Sequence, residues 1–267
     1  MLQQDDKGHT KLYKAAWGGR LEEIQEILKS AKEAGIIETL INKASGDGDT
    51  PAYISSQMGH LQVVKILLDN NADINKSNFK GWTALMAASK NGHLDIVNLL
   101  LEYNADINSK NITSETALFS AAANGHENIV VRLVEADAQI IQPNHNNYSP
   151  LHIAVATNRK EVVKYLLTKS ITKTILNEES HDNHHTPLTL AIKGKDQEMV
   201  QWLVSGGADV TLKGGEGKTP REWAKQEGQK EIKEYLKSCG ASKESLFSSI
   251  KKNSRPTFNG NQEIAES

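Results

Sequence analysis

The chain has 267 residues, 38% of them hydrophobic and only 5% aromatic, with a formal net charge of −2 and a single cysteine. So small a net charge argues against a nucleic-acid or anionic-membrane partner held by bulk electrostatics, and no apolar stretch approaches the roughly 20 residues of a membrane helix. The lone Cys239 excludes an internal disulfide and suits a reducing compartment; with no activating neighbour it reads as an inert thiol.

The opening segment, MLQQDDKGHTKLYK, lacks the basic-then-apolar pattern of a secretion signal. Thr10 is the first of a series of helix-opening hydroxyls, and KSAKEAGIIETLIN (Lys29 to Asn42) follows with seven residues more than later units carry. From Thr50 the chain repeats itself. Thr50, Thr83, Thr116 and Ser149 fall 33 positions apart, and the same step relates His60, His93 and His126, then Ala72, Ala105 and Ala138, then Leu67, Leu100, Leu133 and Leu166. A chain repeating at this interval is an array of stacked units with no central core.

The clearest unit runs from Asn78 to Lys110, NFKGWTALMAASKNGHLDIVNLLLEYNADINSK. Gly81 stands where a tight turn needs positive φ. Thr83 then caps a helix over Ala84 to Lys90, and Asn91-Gly92 breaks it. A second helix, Leu94 to Glu102, carries the apolar stripe Ile96, Val97, Leu100 and Leu101. Asn104 to Asn108 is an extended, turn-rich link to the next unit. After Ser149, four extra residues around KSITKTIL (Lys169 to Leu176) delay the next hydroxyl to Thr186, and Thr219 is the last. Insertions of this kind lengthen a helix or loop on one face, so stacking survives them.

The end units differ where the others are apolar. Lys14 takes the slot of Ile54, Ala87 and Ile153, while Lys233 and Lys237 take those of Val64 and Leu68. Burying an unpaired lysine costs several kcal/mol, so the array is expected to be capped at both ends. After Ala241 the pattern stops, and residues 242–267, rich in Ser, Asn and Lys, are expected to form a disordered tail. Within it Leu246, Phe247 and Ile250 would form a last helical turn or a docking peptide.

The strings GDTPAYISSQMGHLQVVKILLDNNADIN, GWTALMAASKNGHLDIVNLLLEYNADIN and HTPLTLAIKGKDQEMVQWLVSGGADV closely resemble the ankyrin repeat, from about Asp5 to Ala241. The resemblance implies an all-α ankyrin-repeat solenoid over residues 1–241. It has about seven helix-turn-helix units, starting near residues 5, 45, 78, 111, 144, 181 and 214, joined by short β-hairpin-like links. Thr83-Ala84 and Thr116-Ala117 lack the usual proline, and Ser149 replaces threonine. Asn75 and Asn108 resemble the asparagine-hydroxylation context of some ankyrin repeats, which any good repeat consensus produces.

Nine histidines invite a metal or catalytic reading. His60, His93 and His126 recur in phase, which points to a recurring structural need, and His152 takes the Pro-Leu-His slot of the resembled repeat, where a structural role is likewise expected. His181, His184 and His185 share one turn, but a structural zinc site wants four ligands and a second shell, so a solvated loop is expected. Glu22-Glu23 and Asp5-Asp6 read as helix-start or surface charge. The glycine-rich LKGGEGKTP (Leu212 to Pro220) lacks the spacing of a phosphate loop and falls in phase with the repeat turns. No catalytic residue, metal or cofactor is expected.

The resemblance implies that residues flanking each turn glycine, and those closing each first helix, face a concave groove. Those positions hold Trp17 in the first unit, Met58 in the second, and Phe79, Lys80, Trp82, Lys90 and Asn91 in the third. Ile112 and Glu115 follow in the fourth, His145 and Tyr148 in the fifth, and His185 in the sixth. Phe79, Trp82 and Tyr148 fall at positions the stack does not need filled, and aromatic anchors among polar residues are what protein-binding hot spots look like.

The expected function is therefore a non-enzymatic scaffold or adaptor that binds a partner protein or peptide through the groove, monomeric on its own. It would need no nucleic acid or membrane insertion. A regulatory subunit of a separate enzyme, or a translocated bacterial effector acting on a host protein, are the alternatives. The expected location is cytoplasmic, with the nucleus or delivery into a host cell by a non-classical route as alternatives.

Overall fold

The computed structural model describes residues 1–240; the expected tail over 242–267, with Leu246, Phe247 and Ile250, lies outside the described residues. The chain is a row of helical hairpins. The first pair is α1 (Lys11–Trp17) and α2 (Leu21–Glu33), followed by a short α3 (Ile37–Ile41). Next come α4 (Pro51–Met58) with α5 (Leu61–Asp69), α6 (Ala84–Asn91) with α7 (Leu94–Glu102), and α8 (Ala117–Asn124) with α9 (Glu127–Glu135). Then α10 (Pro150–Ala156) pairs with α11 (Lys160–Leu167), and α12 (Pro187–Lys193) with α13 (Gln197–Ser205). α14 (Pro220–Gln226) is followed by α15, which is helical from residue 230 to 240. The extra residues of the first unit lengthen α2 and form α3, and those of the fifth fold into a 3₁₀ turn over Ser170–Thr174. No helix among the described residues is long and apolar enough to cross a membrane.

Local chemistry starts each first helix. Thr10, Thr50, Thr83, Thr116, Ser149, Thr186 and Thr219 sit at N-caps in extended conformation, and each side chain accepts the N–H three residues on. That satisfies one of the donors a helix start leaves orphaned. Gly92 ends α6 in the left-handed conformation at φ 82°, with the His126 ring lying over its open side.

Side-chain size then sets the curvature. The faces of α4, α6 and α8 that meet are built from Ala52, Ser55, Ala84, Ala87, Ala88, Ala117, Ala121 and Ala122, all buried. These small residues let the first helices approach one another closely. The second helices carry Val64, Leu67, Val97, Leu100, Val130 and Leu133, and α5, α7 and α9 touch one another less than α4, α6 and α8 do. The row therefore bends towards the first helices, which form the concave side.

Between units, three histidines perform one structural task. Nε2 of His60, His93 and His126 donates to the carbonyls of Trp17, Gln57 and Lys90, each at 3.0 Å, tying the start of one second helix to the end of the preceding first helix. Arg159 Nε repeats the bond to Ala123 O at 3.0 Å, and Gln229 Nε2 to Ile192 O at 2.6 Å. On the other edge the Oδ1 atoms of Asn42, Asn75, Asn108 and Asn177 accept the N–H of Asp73, Asp106, Gln139 and Asp209. Asn75 and Asn108 thus bridge successive units.

The links are hairpin-like but carry no strand among the described residues, each closing on itself through a backbone bond such as Asn78 N to Trp82 O or Asn111 N to Glu115 O, both at 3.0 Å. Each link projects as a finger of tight turns joined to the next finger by a single backbone bond, such as Phe79 N to Asp47 O (3.2 Å), Ile112 N to Lys80 O (3.1 Å) and His145 N to Thr113 O (3.0 Å). One bond per finger pair is too few for a ladder. Of the end-unit lysines, Lys14 is exposed and pairs with Asp5 at 2.8 Å, Lys237 is exposed on α15, and Lys233 is half-buried with Glu234 at 3.5 Å.

Candidate functional site

Each finger is shaped by its own first residue. Asn78 Oδ1 accepts the N–H groups of Lys80 (3.0 Å) and Trp82 (2.9 Å), closing a loop around residues 79–81. Asn111 holds Thr113 and Glu115 in the same way, Asn144 holds Asn146 and Tyr148, Ser45 holds Asp47 and Asp49, and Asp5 holds Lys7 and His9. These side-chain cradles fix where the fingertip residues point. They recur in phase at positions 5, 45, 78, 111 and 144, a signal the reading of turn glycines alone passed over.

The fingertips present Phe79, 75% exposed, and Ile112, 62% exposed, on adjacent units. Gly48 makes room for the first: a Cβ there would lie 2.7 Å from Phe79 N and 2.8 Å from its ring. Lys80 and His145 are exposed beside them, and Trp17 and Met58 stand exposed at the ends of α1 and α4. The Trp17 ring meets Tyr13 and His9 edge-on. Lys90 and Asn91 close α6 with exposed side chains, Asn91 Nδ2 donating back to Ala87 O at 2.8 Å.

Four of the expected groove residues have scaffold partners. Trp82 is half-buried against the core, with Lys90 Nζ 4.8 Å from its ring centroid, so the stack does use this side chain. Tyr148 is half-buried, lies edge-on to His152, and is bonded through its hydroxyl to Ser180 and Asp182 in the next finger. Glu115 is half-buried and accepts from Asn111 Nδ2 at 2.9 Å. His185 corrects the expectation outright. It is 4% exposed, with Nε2 3.0 Å from Lys193 Nζ and its ring edge-on to Trp223 at 5.4 Å. Burial, and then the Lys193 charge, push its pKa below the usual histidine value. The other two imidazoles of that turn do not join it: His184 pairs with Glu179 at 3.3 Å, and His181 is exposed. Among the described residues no group of three or more His, Cys, Asp or Glu is placed to hold a metal ion.

Between the second and third fingers lies a hollow of about 350 Å³. Asp47, Asp49, Tyr53 and Gln57 form one wall, and Phe79, Lys80, Trp82, Lys90 and Asn91 the other. Burial, and after it the Asp49 carboxylate, raise the Tyr53 hydroxyl pKa to about 12; burial, Asp49 and further charges do the same for Tyr13 behind it.

The ankyrin-repeat family model matches in three copies, over residues 12–111, 110–177 and 169–246. The chain belongs to the ankyrin repeat proteins. Among solved structures it is similar to the human ASB11 ankyrin repeat domain, with a TM-score of 0.71 and 22% identity, covering 86% of this chain and 98% of that one. That likeness supports the fold. No curated protein matches the sequence. Ankyrin repeats mediate protein–protein interaction, and the fold is typically non-catalytic.

Proposed function

We propose that this protein is an interaction scaffold that docks a partner protein or peptide along its first-helix face, at the fingertips of the second to fourth units. One observation carries the reading: Phe79 and Ile112 are held out on adjacent fingers with most of their side-chain surface left uncovered by the stack. Large apolar side chains on fixed turns, rimmed by polar groups, give binding energy with little ordering cost. A host protein or a separate enzyme as the partner would leave this mode of docking unchanged.

Affinity capture with the full chain and its Phe79→Ala and Ile112→Ala forms tests this. Substitution of residues so exposed is expected to leave stability within about 0.5 kcal/mol of the parent, while proteins retained by the parent are lost from both variants. Retention unaffected by either substitution would move the docking surface elsewhere. Trp82→Ala is the poorer probe, because that ring also packs on the core.

A further inference from the structure

We infer that the seventh unit is a detachable cap: α14 and α15 part from the sixth unit together in mild acid, with His185 as the group that triggers the release. The inference is independent of the docking function, for it concerns the other end of the array.

The junction between these two units leaves polar groups unsatisfied. His185 Nδ1, Trp223 Nε1 and Gln229 Oε1 all belong to it, and all three are buried without a hydrogen-bond partner. His185 comes from the sixth finger and Trp223 from α14, and their rings meet edge-on at 5.4 Å. Lys193 Nζ stands 3.0 Å from His185 Nε2. An ammonium can only donate, so Nε2 accepts and Nδ1 carries the ring proton. His185 and Trp223 therefore each bury an N–H that has no acceptor. Gln229 ties the chain before α15 to Ile192 O through Nε2 at 2.6 Å, yet its own carbonyl is the third orphan. Buried groups left unbonded weaken the interface that buries them, and each regains water when the surfaces part. Among the described residues the seventh unit has one neighbouring unit, so no second interface holds it in place.

Charge supplies the trigger. The ammonium groups of Lys193 and Lys218 lie 5.2 and 4.9 Å from the Trp223 ring centroid. A proton added to His185 has to sit on Nε2, pointing at Lys193, and makes a third cation around one indole. The sixth finger turns Glu179 and Asp182 towards the imidazole and the seventh turns Glu216, while α14 sets the uncharged indole against it. These carboxylates do not offset the cost. Glu179 pairs with His184 at 3.3 Å and Glu216 pairs with Lys218, and burial followed by Lys193 holds the His185 pKa below the usual histidine value. With the folded value depressed, the closed junction is fully favoured above the ordinary histidine pKa and loses ground as the pH falls below it.

Hydrogen exchange of the full chain at pH 7 and 5.5, expressed as protection factors, reads the release. At pH 7, α14 and α15 are expected to be about tenfold or more less protected than α12 and α13, as for unbonded groups at one interface. At pH 5.5 that gap should widen by about threefold or more, with both helices changing together. His185→Phe keeps a ring against Trp223 and removes both the orphan N–H and the titration. It should raise the protection of α14 and α15 at pH 7 and abolish the widening. Lys193→Met is the milder second variant, and should reduce the widening by relieving the imidazole of its neighbouring charge. A gap that is absent or unchanged at pH 5.5, or one that widens equally in the parent and both variants, would overturn the inference. So would a response of α14 without α15, since the pair would then not move as a unit.

Discussion

Lowering the pH from 7 to 4 is expected to remove up to about 3 kcal/mol of stability through His152 alone, from a shift of its pKa between the unfolded and folded chain. The ring is fully buried. Ser149 N–H points at Nδ1 from 3.4 Å and Ser149 Oγ lies 2.8 Å from it, while Nε2 donates to Glu178 O at 3.0 Å. Nδ1 is therefore the acceptor, and the neutral ring protonated at Nε2 is satisfied on both sides. A second proton would face donors inside an apolar stack, and burial pulls the pKa from 6.5 to about 4. Because the folded value is depressed, the unfolded chain binds more protons between those limits. Stability is then complete above about pH 6.5 and falls as the pH drops towards 4. His185, also lowered, acts in the same direction. Urea unfolding at pH 7, 5.5 and 4 is the check. His152→Gln should be less stable at pH 7 yet show a shallower decline on acidification; equal slopes would show that the imidazole titrates outside this window.

Leu100→Ala is expected to cost about 2–5 kcal/mol, the usual range for emptying a buried leucine site. Leu100 lies in the C-terminal half of α7 with no exposed surface, within the continuous buried core that runs along the array. In an array each unit is sheltered only by its neighbours, so a cavity here weakens two interfaces together. The fold has no second core to compensate. Chemical denaturation should show a lower midpoint and a broadened or split transition, as units before and after the third lose their coupling. A midpoint shift below about 1 kcal/mol would mean that the site collapses around the smaller side chain.

Much of the fold was legible in the sequence because its determinants are local. A hydroxyl followed by a short helix, a Gly-His break and a leucine-rich second helix each act within a few residues, and α6 and α7 begin at Ala84 and Leu94 as the capping and periodicity predict. The in-phase histidines were legible as structural for the same reason, although their acceptors, one unit away, were not. What local chemistry does not encode came out differently. His185 is covered by Trp223, which arrives 38 residues later from another unit. Tyr148 reaches Ser180 and Asp182 across an insertion whose path no period predicts. The links, rich in turn formers, do close as hairpins, while the single bond from each finger to the next leaves them without strands. The residues that stand out, Phe79 and Ile112, do so because nothing arrives to cover them.

Hydrogen exchange on the full chain, free and loaded with a protein recovered in the capture experiment, tests most directly whether the first-helix face is the working surface. Slowed exchange is predicted at residues 78–82 and 111–115 and along α4 and α6, with α5, α7 and α9 unchanged. Protection confined to α5, α7 and α9, with the fingers exchanging as before, would contradict it.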